Sequence, residues 1–149
     1  MANDTASDRA GARSLLHCKP GQLLIDTELT AESVGHAALI VQHTLRLWGL
    51  SGLADTTGTA TAALLSDVIA HWGASSAIGP AAARCLVQRV PGAVALVVRA
   101  DGLSDHSECS GSACGRGRVA VRRMADEFTV TATAAGSDST AVFRLRPAA

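Results

Sequence analysis

The sequence predicts an α+β fold, a two-layer sandwich in which a mixed, mainly antiparallel sheet carries helices on one face. Three observations lead there. Two pairs of strand-like runs are each joined by a turn-forming segment, Pro91-Gly92 and residues 134–139, as in hairpins. Three other segments repeat their apolar residues at three- and four-residue steps, as helices do. Strands and helices do not alternate strictly, which excludes the doubly wound dinucleotide-binding pattern.

Residues 1–20 read as a flexible N-terminal tail, rich in Ser, Thr, Asp, Gly and Arg and without a period. Residues 21–149 form the domain. Leu23, Leu24, Ile25 and Leu29 mark its first strand. Thr30 is a suitable N-cap, and Glu32 falls in the first turn, where the helix dipole favours an anion. Val34, Ala37, Ala38, Val41, Leu45 and Trp48 then trace one face of a helix that ends near Gly49. Asp55 can cap a second helix whose stripe is Leu64, Leu65, Val68, Ile69 and Trp72.

Residues 84–90 and 93–100 have strand character. Pro91-Gly92 between them suits a type II turn. Residues 93–98 are apolar throughout, which predicts a strand buried on both faces. Residues 101–117 lack a period and read as a loop. Val121, Met124, Ala125 and Phe128 mark a third helix, and residues 128–133 and 140–146 a closing hairpin.

Composition limits the function. The 149 residues are 48% hydrophobic, which excludes a wholly disordered chain. Thirteen basic residues balance 13 acidic ones, so the electrostatic footprint of a nucleic-acid binder is missing. Aromatics are only 3%, too few for a base-stacking platform. No apolar run approaches the roughly 20 residues that span a bilayer, and the first residues lack the apolar centre of a secretion signal. Cys18, Cys85, Cys109 and Cys114 are few and irregularly spaced. The expectation is a cytoplasmic protein with reduced thiols, without membrane or direct nucleic-acid partners.

Four constellations could carry chemistry. Asp67 and His71 are four apart on the second helix, so they lie one above the other and could polarise a water or hold a metal. An ordinary pair at the edge of a core has the same spacing. Asp101 closes a buried strand, where it could accept a hydrogen bond from a ligand amine or serve its own turn. Gly115-Arg116-Gly117 precedes a helix, followed by Arg118, Arg122 and Arg123. Such a segment can cradle a phosphate, or be a plain loop leading to a solvated basic face. His106, Cys109 and Cys114, with Asp105 or Glu108, could bind zinc or sense redox state, or be free thiols in a loop.

In chain order these pieces resemble the small single-domain members of the histidine-kinase-like ATPase superfamily, and within it the anti-sigma-factor serine kinases. The resemblance covers about residues 21–147. It is carried by Thr44-Leu-Arg-Leu-Trp-Gly-Leu50, Leu64-Leu-Ser-Asp-Val-Ile-Ala-His71, Gly115-Arg-Gly-Arg-Val-Ala-Val-Arg-Arg-Met-Ala-Asp126 and Phe143-Arg-Leu-Arg-Pro147.

By that resemblance Asp67 stands where the family has its catalytic Glu, and His71 where it has the Asn that binds magnesium. Asp101 matches the adenine-recognising Asp, Gly115 and Gly117 the phosphate-side glycines, and Thr140 the Thr of a closing Gly-Thr pair whose glycine is missing here. The implied cofactors are ATP and magnesium. Asp is one methylene shorter than Glu, and imidazole is a poor magnesium ligand beside an amide oxygen. The resemblance therefore implies a degenerate site and impaired kinase activity in a homodimeric regulator that binds a sigma factor or its antagonist. The alternatives are an active serine kinase acting on an anti-sigma antagonist, and a thiol- or metal-responsive sensor on the same fold.

Overall fold

A computed structural model describes residues 14–74, 78–101, 115–134 and 136–146. The elements run β1 (Ser14–Lys19), β2 (Gln22–Glu28), α1 (Ala31–Leu47), α2 (Ser51–Ala74), β3 (Ala82–Val90), β4 (Ala93–Asp101), α3 (Arg116–Met124), β5 (Glu127–Ala132) and β6 (Gly136–Arg144). The strands form one six-stranded sheet in the order β1-β2-β3-β4-β6-β5. Every pairing among the described residues is antiparallel, so the sheet is not mixed as expected. The α+β class and the two-layer arrangement agree with expectation.

Alternation along the strands separates the two faces. Leu23, Ile25, Ala83, Cys85, Val87, Val94, Leu96, Val98, Ala141 and Phe143 are buried. The register places them on one side, under the helices. Val34, Ala37, Val41 and Leu45 of α1 and Leu64, Leu65 and Val68 of α2 complete the core. The opposite face carries Asp26, Arg84, Arg99 and Asp138 in one cross-strand row, joined by ion pairs Arg84–Asp26 at 3.1 Å and Arg99–Asp138 at 2.9 Å.

β4 is consequently not buried on both faces as its apolar run predicts. Val94, Leu96 and Val98 are buried, whereas Ala95 and Val97 are half-buried and Arg99 is exposed. No described element covers the second face.

Local signals account for several boundaries. Thr30 caps α1 as expected. Its side chain accepts from the Ser33 amide at 3.0 Å, and the Ser33 hydroxyl accepts from the Thr30 amide at 2.8 Å, a reciprocal capping box. Gly92 has φ 69, the left-handed conformation that the Pro91-Gly92 turn requires.

Four expectations need correction. β1 begins at Ser14, inside the segment read as a tail. Both its faces are exposed, so it shows no alternation, and pairing with β2 alone makes it a strand. The overlooked signal is Pro20-Gly21, with φ 72 at Gly21, the same dipeptide that joins β3 to β4. α2 starts at Ser51, because Leu50 and Leu53 bury there, and Asp55 instead pairs with Arg46 at 2.8 Å. α3 stops at Met124, and Phe128 belongs to β5 opposite Ala141. β6 starts at Gly136, so Ser137, Asp138 and Ser139 are strand residues and not loop.

Candidate functional site

The second helix does bring Asp67 to Gly117, in the first turn of the third. One Asp67 carboxylate oxygen accepts from the Gly117 amide at 2.8 Å, and the other from the Arg118 amide at 2.7 Å. α3 needs this. Its N-cap Gly115 has no side chain to offer, and the first amides of any helix lack intrahelical acceptors. Asp67, buried at 4% exposure, therefore caps α3 from another element. The negative carboxylate also meets the positive end of the helix dipole.

Gly117 has a packing reason to be glycine. A Cβ there would lie 2.0 Å from the Ala63 carbonyl oxygen and 2.9 Å from the Asp67 carboxyl carbon. α3 is thus seated directly on α2, backbone to backbone. Gly115 has φ 88 and makes the left-handed step into the helix. Burial pushes the Arg118 guanidinium below its ordinary pKa; Asp67 opposes that shift and Arg122 adds to it.

Beneath this contact is a cavity of only about 10 Å³, bordered by Leu64, Asp67, Val98, Arg118, Ser137 and Ser139. That is room for about one water. Among the described residues, the two amides at the start of α3 that would face a phosphate donate to Asp67 instead, one to each carboxylate oxygen. The described residues contain no group of three or more His, Cys, Asp or Glu placed to hold a metal. His71, one turn further along α2, is buried at 3% exposure.

The other expected site residues lie elsewhere. Thr140 is on the open face of the sheet, between Val97 and Thr129. Its neighbour Ser139 is the residue that lines the cavity beside Asp67. Sequence reasoning placed Arg118 beside the expected phosphate cradle but missed the cavity-lining roles of Ser137 and Ser139. Alternation from the inward-facing Phe143 through Ala141 identifies the two serines once β6 is taken back to Gly136. Asp101 is exposed at the end of β4, opposite Gly136, and borders a separate recess of about 160 Å³ with Trp72, Arg84 and Arg99. Asp67 and Gly117 therefore meet at one helix contact, with His71 buried one turn further along α2, while Asp101 and Thr140 do not join them. His106, Cys109 and Cys114 lie outside the described residues.

No family model matches the chain, and no curated protein matches it. Among the described residues no helix is long and apolar enough to cross a membrane.

Proposed function

We propose that this protein is a regulatory binding protein of the anti-sigma type, which acts by holding a sigma factor or its antagonist and not by transferring phosphate. The segments of residues 21–147 that resemble the anti-sigma serine kinases support the family side of this reading. The observation that carries the rest is the pair of hydrogen bonds from the Gly117 and Arg118 amides to Asp67. A general base must lie within hydrogen-bond reach of the proton it takes. Here each oxygen of the Asp67 carboxylate is engaged with the end of α3.

The chemistry of the site follows from that arrangement. A phosphate at a helix N-terminus is held by backbone amides and the dipole. In this protein the Asp67 carboxylate takes that place at the start of α3. The sigma factor or antagonist would then be bound by the surface of the fold, with no phosphoryl transfer to a serine.

The test is titration of the full chain with magnesium-ATP by calorimetry, together with a phosphoryl-transfer assay on a serine-bearing antagonist protein. The expected result is no saturable heat and no transfer. A ligand present at 100 times its Kd would also stabilise the fold by about 2.7 kcal/mol, which a melting curve detects readily. Tight binding with transfer to serine would establish the active-kinase alternative in its place.

A further inference from the structure

We infer that the groove between the start of α2 and the end of α3 docks an acidic segment of a protein partner, with one apolar side chain of that segment held against Phe143. This rests on the binding-protein reading, whose contact surface it names.

The groove follows from the unequal lengths of the helices. α3 runs back along α2, from Gly117 beside Ala63 to Met124 near Leu53 and Thr56. There it stops, whereas α2 begins as far back as Ser51 and β6 runs on to Arg144. The space beyond Met124 measures about 280 Å³, against about 10 Å³ beside Asp67. Its floor is apolar. Leu53 and Phe143 are buried and Met124 is half-buried. It opens to solvent at Leu145, a large apolar residue left 43% exposed. Leu145 is held in place, because its amide donates to the Gly92 carbonyl at 2.9 Å. An apolar floor inside a polar rim is the anatomy of an interaction site.

The rim sets the sign of the partner. Arg122 and Arg123 close α3, and Arg144 and Arg146 line the groove. The nearby carboxylates are already answered by arginines: Glu127 by Arg144, Asp126 by Arg146 at 3.6 Å, and Asp55 by Arg46 at 2.8 Å. Arg122 lies over the Phe128 ring at 5.5 Å, and Arg123 has no acidic partner among the described residues. The local surplus is therefore positive, in a chain whose formal net charge is zero. A basic segment would meet like charge here, and an acidic one neutralises it.

Ser14, Asp101 and Gly136, where the chain leaves the described residues, lie at the opposite end of the sheet from Arg144. Of the segments outside the described residues, only 147–149 follows directly on a groove residue.

The test is a titration of the full chain, methyl-labelled at Leu and Met, with the acetylated and amidated peptide Asp-Glu-Leu-Leu-Asp-Glu, followed by NMR. Saturable shifts are expected at Leu53, Met124 and Leu145, with affinity falling as salt rises from about 20 to 200 mM. The basic peptide Lys-Arg-Leu-Leu-Lys-Arg should produce none. Arg146→Glu is expected to weaken binding of the acidic peptide by about tenfold or more. Arg116→Glu makes the same change in net charge at the far end of α3 and should weaken it less than about twofold. Both side chains are exposed, so the circular dichroism of each variant should match that of the native protein. No saturable shift, binding of the basic peptide at the same methyls, or equal weakening by Arg116→Glu would overturn the assignment. The titration contains no nucleotide, so its failure removes the groove as the docking site, and only the magnesium-ATP experiment decides against the binding-protein reading.

Discussion

Asp67 shows how one residue can satisfy a functional pattern for a structural reason. Its spacing from His71 suits an acid–base pair, yet its oxygens answer two buried amides. Hydrogen bonds to a charged group contribute about 1.5–3 kcal/mol, and a buried donor left unanswered is costly. Asp67→Asn keeps the shape but turns an amide nitrogen toward one of the two donors. It should lower stability by about 2 kcal/mol, seen as a reduced urea midpoint with unchanged slope. A purely catalytic Asp would leave that midpoint where it was. Thr57 is the opposite case. Its hydroxyl oxygen is fully buried in α2 with no hydrogen-bond partner among the described residues, while Thr61 donates to the Thr57 carbonyl at 2.8 Å. Thr57→Val removes an unanswered polar atom at nearly constant volume. We expect a gain of about 1 kcal/mol, measured by the same denaturation.

Between elements, the decisive contact is α3 against α2. The two helices approach until Gly117 meets the Ala63 carbonyl, and Asp67 reaches across the same junction to cap α3. Gly117→Ala forces a methyl group to 2.0 Å from that oxygen, which only a shift of the helix can relieve. Overpacking of this kind costs about 1–3 kcal/mol. Because the shift also breaks both Asp67 bonds, we expect the upper end of that range. The amides of residues 117 and 118 should exchange with deuterium much faster. Unchanged exchange would show that the helices are not seated as described. The glycines that read as a phosphate cradle are in this setting a packing requirement at Gly117 and a backbone conformation at Gly115.

At the scale of the whole molecule, stability rests on a single layer of helices over one face of the sheet, and Cys85 lies near its centre. Burial, with a smaller push from Asp26, raises its pKa from 9.0 to about 12. The folded state thus keeps the proton that the unfolded chain releases above pH 9. Below pH 9 the group has no effect on stability; between pH 9 and about 12 it lowers stability by up to about 1.4 kcal/mol per pH unit. The chain has no Tyr and a single Lys, so few other groups interfere in that window. Urea titrations at pH 8 and 10.5 should show the loss, and Cys85→Ala should remove its Cys85 component. The sequence by itself determined the α+β class, the capped start of α1 and the Pro91-Gly92 hairpin. These follow from periodicity, capping chemistry and backbone preference, all legible within a few residues. Only the tertiary structure decided that β1 exists, that β6 reaches back to Gly136, that Thr140 faces away from Asp67, and that Asp67 caps a helix. Each of those depends on a neighbour distant in the chain, a paired strand or an opposing helix, whose hydrogen bonds and volume no local pattern encodes.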